Sequence, residues 1–349
     1  MARRILWASL ALAPVTLAVN HFAHPGKTTL FVLSAASLVP LAWLIGEATE
    51  HAAEHTGAGI GGFLNASFGN APELIISLFA VGNGLPEVVR ASLAGSVISN
   101  LLLVFGVTIV VGPEKSIDLR SLGVQLGLVG ISVLAVLPVA VMGYTGDPER
   151  HSAVVASIPV SIVLLVLYVA VVGRNLRRHH RHQVERRLEH PSDTSWSLPV
   201  SLVTLGIATV FTAFVSEILV RSIDAFSHAA GLSEFFVAAV IVAIVGNAAE
   251  HGGAVVIAHG GDMRLASEIA ISSAAQVALL VGPAVMLVSL AFEHPLPLSF
   301  RWEELLALGG AVAVAGAVIR DGRTTHREGW MLLAGYAAVV AGFLAAGNR

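Results

Sequence analysis

The sequence Gly-Asn-Ala-Pro-Glu at residues 69–73 and its near copy Gly-Asn-Ala-Ala-Glu at residues 246–250 decide the fold. Each copy puts a carboxylate, Glu73 or Glu250, inside an apolar run of about membrane-spanning length. An ionisable group at membrane depth is costly and by default marks a functional site. We therefore expect the rest of the chain to be a scaffold for these two glutamates.

The composition around the two motifs is that of an integral membrane protein. Of the 349 residues, 55% are hydrophobic and 12% are charged, against roughly 25% charged residues in soluble domains. The apolar runs are too long, and alternate too little, for the strands of an outer-membrane barrel. Because the chain has no cysteine, disulfides and thiolate metal ligands are excluded. The predicted fold class is an all-α polytopic membrane protein.

Eleven membrane-spanning helices are predicted from these apolar runs. Spans 1 to 11 cover residues 5–20, 28–50, 60–81, 85–111, 121–142, 151–173, 196–220, 235–258, 265–292, 302–319 and 329–346. Span 1 follows Arg3 and Arg4 and also fits a secretory signal peptide. No clean small-x-small cleavage site precedes Pro25, which favours an uncleaved helix.

The second half of the chain repeats the first. An offset of 177 residues superimposes the two motifs and, without a gap, places Ser273 on Ser96 and Gln276 on Ser99. The predicted domains are a leading helix (1–27), repeat 1 (28–173, spans 2–6), a linker (174–195) and repeat 2 (196–349, spans 7–11). Five spans are an odd number, so the two repeats cross the membrane in opposite directions. This inverted-repeat arrangement is typical of secondary transporters, whose substrate site lies near the midplane between the repeats.

The distribution of basic residues predicts the orientation. With the N-terminus in the cytoplasm, the inside segments hold 14 of the 20 Lys and Arg residues and the outside segments hold 6. The positive-inside rule then places the N-terminus inside and the C-terminus outside. The expected location is the inner or plasma membrane of a prokaryote.

The linker is rich in Arg and His and is expected to lie in the cytoplasm near anionic lipid headgroups. Nucleic-acid binding is not expected of so short a basic run beside a membrane. A histidine-rich regulatory metal site is a weaker alternative.

The residue types in the motifs suit a hard cation. Gly69 and Gly246 weaken the helix just before each carboxylate, and Pro72 cannot donate to the carbonyl of Phe68, which leaves backbone oxygens available. The amide oxygens of Asn70 and Asn247 complete an all-oxygen set that fits calcium and similar ions.

Further polar side chains lie on spans 4 and 9 at roughly helical spacing. They are Ser96, Ser99 and Asn100 on span 4 and Ser272, Ser273 and Gln276 on span 9. These side chains could extend the cation site or the proton route. Taken singly, the serines are better explained as contacts between packed membrane helices.

The motifs GNAPEL (69–74) and GNAAEH (246–251) resemble the paired signatures of cation/proton exchangers of the CAX type, in the calcium/cation antiporter superfamily. The resemblance covers nearly the whole chain. It implies a secondary active antiporter, not an enzyme, that exchanges cytosolic Ca2+ for H+ by alternating access without a cofactor. It also implies that Glu73 and Glu250 are the central ligands shared by cation and proton, with Asn70 and Asn247 matching the motif.

Other features only partly follow the family pattern. Several family members have an acidic linker, whereas residues 174–187 here are basic. Glu47 and Glu217 resemble additional acidic positions that similar exchangers place along the ion or proton route.

Two alternatives to calcium/proton exchange stay open. The first is an exchanger for Mn2+, Mg2+ or Na+. The second is an intramembrane metalloenzyme using Glu50, His51, Glu54 and His55 at the end of span 2, with Glu250 and His251 as further candidate ligands. These histidines lack the HExxH order and have no counterpart in repeat 2, which argues against the enzyme. The expected partners are Ca2+, H+ and the lipid bilayer, and the sequence does not fix the oligomeric state.

Overall fold

The computed structural model describes residues 2–23, 25–189 and 196–347, and these form an all-helical membrane protein. The first half contains α1 (Ala2–Ser9), α2 (Leu12–Ala18), α3 (Lys27–Phe68), α4 (Ala71–Gly82), α5 (Pro86–Ile98), α6 (Phe105–Val111), α7 (Leu119–Tyr144) and α8 (His151–Glu189). The second half contains α9 (Leu198–Val220), α10 (Ile223–Ala230), α11 (Glu234–Phe236), α12 (Ala243–Gly246), α13 (Ala248–His259), α14 (Met263–Gln276), α15 (Gly282–Ser289), α16 (Trp302–Ile319) and α17 (His326–Ala346). Wider π-helical turns follow α2, α5, α11 and α14, at Val19–Ala23, Ser99–Val104, Val237–Val242 and Val277–Val281.

Within the described residues, nine helices are long and apolar enough to cross a membrane. A tenth span results if Ile223–Ala230 and Glu234–Gly246, which meet at 111°, are counted together. The all-helical membrane fold is therefore confirmed, while the count of eleven spans stays a prediction. The two predicted spans that differ most from single continuous helices are spans 3 and 8, which carry the motifs.

Both motif spans break at the motif asparagine. In repeat 1, α3 ends at Phe68 and α4 begins at Ala71. In repeat 2, α12 ends at Gly246 and α13 begins at Ala248. The two asparagines also share one backbone conformation, with φ −98° and ψ 18° at Asn70 and φ −92° and ψ 8° at Asn247. The sequence repeat is thus a structural repeat at the two motifs.

The predicted end of span 2 at residue 50 and start of span 3 at residue 60 are not helix ends. Helix α3 runs without interruption through this stretch and is 42 residues long, which corresponds to about 63 Å. The physical reason is the local sequence. Ala52, Ala53 and Glu54 are good helix formers, and after Pro40 no proline occurs before Pro72.

The two repeats also match in the spans that follow the motifs. Helix α5 is followed by the π turn Ser99–Val104, and α14 is followed by the π turn Val277–Val281. With the offset of 177 residues, these turns coincide to within one residue. Such turns are often found at functional sites. Most residues of these two spans are buried, whereas α8 and α17 expose apolar side chains as lipid-facing helices do.

Three connecting loops meet at one end of the bundle, here called the Lys115 face: residues 112–118, 260–262 and 320–325. Lys115 Nζ donates to Gly261 O at 2.9 Å, and Thr324 N donates to Lys115 O at 3.1 Å. Arg264 Nη2 lies 3.7 Å from Asp118 Oδ2. The charge bias predicts that this face is cytoplasmic.

Loops at the other end of the bundle form the Arg301 face: residues 83–85, 145–150 and 290–301. Ser299 Oγ donates to Pro148 O at 2.7 Å. Arg301 Nη1 lies 3.2 Å from Glu87 Oε1 and donates to Gly347 O at 2.8 Å. The loops therefore separate into two groups, as the alternating directions of the spans require.

A close backbone approach holds the two repeats together beside the motifs. The space where Gly95 would carry a Cβ is already occupied by the carbonyl of Ala239, and the Cβ of Ala243 would lie 2.9 Å away. Any side chain at this position must push α5 away from the π turn Val237–Val242. Gly95 is therefore a packing requirement of the interface between the repeats.

We expect Gly95→Val to destabilise the protein by about 1–3 kcal/mol, because an overpacked interface forces backbone shifts. The measurement is the thermal midpoint of the detergent-solubilised protein. Gly127→Val is the matched control, since a Cβ there meets nothing within 4 Å. Equal midpoints for the two variants would contradict the packing role of Gly95.

Candidate functional site

The two motif carboxylates lie in the first turns of paired half-helices. Glu73 is in the first turn of α4 and Glu250 is in the first turn of α13. Unpaired N–H groups give a helix N-terminus partial positive charge, which stabilises a nearby carboxylate. Each helix break thus places partial positive charge beside a motif carboxylate.

Glu73 packs against the motif of the other repeat. Its side chain is only 6% exposed, and a Cβ placed on Gly246 would lie 3.3 Å from Glu73 Cγ. A side chain at Gly246 would therefore push against the carboxylate. Glu73 Oε2 is buried and has no hydrogen-bond partner among the described residues. Gly246 precedes Glu250 by four residues, so Glu73 lies beside the motif that carries the second carboxylate.

A hydrogen-bonded chain of side chains reaches Glu250 from span 4. Asn247 Nδ2 donates to Ser96 Oγ at 2.8 Å. Asn100 Nδ2 donates to Asn247 Oδ1 at 3.2 Å and to Ser273 Oγ at 3.1 Å. Ser273 Oγ in turn donates to Glu250 Oε2. Asn100 therefore bridges the asparagine of the second motif and the serine that bonds its glutamate.

The first motif has a matching contact with span 9. Asn70 Nδ2 donates to Gln276 Oε1 at 2.6 Å. Each motif asparagine thus bonds a polar residue on the helix of the opposite repeat. The asparagines start the half-helices that carry the glutamates. These reciprocal hydrogen bonds therefore fix the two carboxylates relative to each other.

A small cavity opens beside Glu73. It has room for about one water-sized occupant and is lined by Glu73, Ser77, Ser92, Ser96 and Gly246 together with apolar residues of α4, α5 and span 8. The polar side chains among these lining residues are one carboxylate and three hydroxyls. Such donors suit a hard cation or water.

The other predicted site residues are distributed unevenly around this centre. Ser99 Oγ donates to Ser96 O in its own helix, and Ser272 Oγ donates to Ile269 O. Among the described residues, the structure therefore brings Ser96, Asn100, Ser273 and Gln276 into side-chain contact with the motifs, whereas the hydroxyls of Ser99 and Ser272 bond within their own helices.

Glu47 and Glu217 have partners of their own outside the motif network. Glu47 Oε1 lies 3.9 Å from His51 Nε2. Glu217 Oε1 is paired with Arg221 Nη2 at 2.7 Å. Their assignment to an ion or proton route stays a prediction.

The residues of the metalloenzyme alternative do not form a compact ligand set. His51 Nδ1 lies 3.5 Å from Glu54 Oε2, but His55 Nδ1 contacts the backbone oxygen of His51 at 2.9 Å. In the part of the chain that the structure describes, no three His, Asp or Glu side chains are grouped to hold a metal ion. The geometry gives this alternative no support.

Sequence reasoning missed two polar residues at the site and one carboxylate farther along a span. Ser77 and Ser92 line the cavity beside Glu73, and nothing in their sequence context distinguishes them from packing serines. Glu268 lies inside the apolar span Met263–Ser289. The rule that singled out the motif glutamates, a carboxylate within an apolar run, applies to it equally.

With this geometry in place, comparison with known proteins identifies the family. The model of the sodium/calcium exchanger protein family matches residues 27–176 and 200–345. The chain belongs to this family. The resemblance inferred from the two motifs is thereby confirmed.

Individual relatives of this exchanger match nearly its full length. It is 36% identical to the Ca(2+)/H(+) antiporter ChaA of Bacillus subtilis, with 97% of this chain and 99% of that protein covered. It is 32% identical to the Ca(2+)/H(+) antiporter of Synechocystis, with 97% of both chains covered. Its structure matches that of native YfkE with a TM-score of 0.81 and 33% identity, covering 98% and 99% of the two chains. The two named relatives are antiporters and not enzymes, in agreement with the prediction.

Proposed function

We propose that this exchanger moves cytosolic Ca2+ against H+ by alternating access, with Glu73 and Glu250 as the site that cation and proton share. The observation that best supports the proposal is that the two motifs lie against each other at the helix breaks. Glu73 lies against Gly246 of the opposite motif, and both glutamates sit at half-helix N-termini.

The donor set supports a hard cation as substrate. The side chains around the two glutamates contribute carboxylate, amide and hydroxyl oxygens, which are the ligands that calcium prefers. The names of the two antiporter relatives support calcium and protons in particular. Because manganese and magnesium also accept oxygen ligands, selectivity has to be measured.

The test is ion flux in proteoliposomes that contain only the purified protein. An imposed pH gradient is expected to drive Ca2+ movement against the proton flow, and dissipating the gradient should stop it. Parallel assays with Mn2+, Mg2+ and Na+ rank the cations. If another cation is transported and Ca2+ is not, that cation is the substrate and the proposed Ca2+ specificity is wrong. If no cation is transported, the proposal is rejected.

The charge bias of the chain supports an orientation in which the Lys115 face is cytoplasmic. A reporter inserted in the linker, at residues 190–195 outside the described part of the chain, is expected to be cytoplasmic. A second reporter fused after Arg349 should be outside the cytoplasm, and its signal is the control for membrane insertion. A linker reporter found outside the cell would overturn the proposed orientation.

A further inference from the structure

Glu268 is a carboxylate that the proposed exchange site does not use. It lies five residues after the start of α14, within the apolar span Met263–Ser289. A charged side chain inside a span is costly, and such residues usually face the bundle interior or a water-filled path. Glu268 therefore requires a specific explanation.

Glu268 begins a row of polar side chains on one face of α14. Glu268, Ser272 and Gln276 follow each other at intervals of four residues and lie on one face of the helix. All three are half-buried, whereas Ser267, Ile271 and Ser273 are buried. We call Glu268, Ser272 and Gln276 the Glu268 stripe.

The Glu268 stripe connects the Lys115 face with the exchange site. It rises about 12 Å along the helix, from Glu268 to Gln276. Its inner end, Gln276, accepts the hydrogen bond from Asn70 of the first motif. Its outer end lies near the loops of the Lys115 face, where Arg264 approaches Asp118.

A side chain of a neighbouring helix positions the Glu268 carboxylate. Gln125 Nε2 on α7 donates to Glu268 Oε2 at 2.7 Å, and Gln125 Nε2 also lies 3.3 Å from Ser121 Oγ. Gln125 Oε1 is buried and has no hydrogen-bond partner among the described residues. The carboxylate is thus held in place by a neutral partner, which leaves its negative charge uncompensated by that partner.

We propose that Glu268 is the entry residue for divalent cations on the Lys115 face, where it attracts the cation onto the stripe that leads to Glu73 and Glu250. This inference rests on the proposed function and adds an entry residue to the proposed exchange site. Lys115 lies in the loop 112–118, and Arg120 and Arg264 lie in the first turns of α7 and α14, where they repel cations. The neighbouring loops also carry Glu114, Asp118 and Asp262. The Glu268 carboxylate at the start of the path adds to this negative charge and raises the local cation concentration.

The competing explanation is structural, with Glu268 serving only as the acceptor of an interhelical hydrogen bond. Three substitutions separate the two roles. Glu268→Gln removes the charge but can still accept a hydrogen bond from Gln125. Gln125→Leu removes the hydrogen bond and keeps the charge. Glu268→Asp retains the charge on a side chain shorter by one methylene.

The experiment measures initial rates of Ca2+ uptake into inside-out membrane vesicles as a function of Ca2+ concentration, with a fixed pH gradient. For Glu268→Gln we expect the half-saturating Ca2+ concentration to rise by about threefold to tenfold with a near-normal maximal rate, as for the loss of an electrostatic steering charge. Glu268→Asp should stay near the wild type. In the wild type, added salt should weaken the apparent affinity more than in Glu268→Gln.

A normal half-saturating concentration in Glu268→Gln, or an equal rise in Gln125→Leu, would overturn the inference. Glu250→Gln is measured in the same vesicles. If it is inactive while Glu268→Gln is normal, only the entry role fails. If Glu250→Gln transports normally, the proposed exchange site itself is wrong.

Discussion

Glu73→Gln and Glu250→Gln are each expected to abolish calcium/proton exchange while the protein still folds and inserts. Glutamine has nearly the volume of glutamate, so packing against Gly246 or near Ser273 changes little. It carries no negative charge and does not titrate, so the variant loses a cation ligand and a proton carrier in one step. Removing even an outer-shell partner of a metal ligand costs roughly 10–100-fold in affinity, and we expect the loss here to exceed about 100-fold.

The measurement is pH-driven Ca2+ flux in proteoliposomes with equal amounts of reconstituted protein. Glu293→Gln is the control, since Glu293 is an exposed carboxylate in a loop of the Arg301 face. Size-exclusion profiles of the variants test folding. Near-normal exchange by either motif variant would rule out the shared site, whereas equal losses in all three variants would point to a general effect of charge.

The two variants should lose exchange to the same extent because the two motifs have the same local geometry. Asn70 and Asn247 start half-helices with the same backbone conformation, and each bonds the opposite repeat. The glutamates are nevertheless in different surroundings. Glu250 Oε2 accepts from Ser273, whereas Glu73 Oε2 has no partner among the described residues. Glu73 is therefore the carboxylate with the more available oxygen.

The sequence was sufficient to predict the features that depend on local physical chemistry. Apolar runs of membrane length predict helices because backbone groups in lipid must be satisfied within the segment. Gly69 and Gly246 indicated weak points in the motif spans, and the helices do break there. The shared offset of 177 residues predicted that the motifs are equivalent, and their common backbone conformation agrees with this.

Contacts between distant segments could not be predicted from the sequence. The spacing of Ser96, Ser99 and Asn100 suggests one polar face, but only packing decides which hydroxyl faces the opposite motif. Ser96 accepts from Asn247, while Ser99 bonds its own helix. The continuity of α3 was also misjudged, because a polar stretch such as residues 50–56 is compatible with either a loop or a helix that emerges from the membrane.

Protons and calcium are expected to compete for the Glu73–Glu250 pair. A carboxylate that holds a proton is a poor cation ligand, and two ionised carboxylates that share one site repel each other unless a proton or a cation lies between them. Calcium binding should therefore release protons, and acidification should release calcium. When the site opens to the more acidic side, the pair is expected to exchange calcium for protons, which couples the two fluxes.

The sign of the pH dependence follows from this competition. As pH falls, protonation removes ligands, so the apparent Kd for calcium rises, by up to about tenfold per pH unit for each proton released. Calcium binding to the purified protein, measured by calorimetry from about pH 4, near where an ordinary glutamate titrates, to about pH 8, tests the sign. In weakly buffered solution, calcium should also acidify the medium, and Glu73→Gln should release fewer protons. A Kd that is constant over this range would contradict the competition, because carboxylates that bind calcium without losing protons cannot couple the two ions.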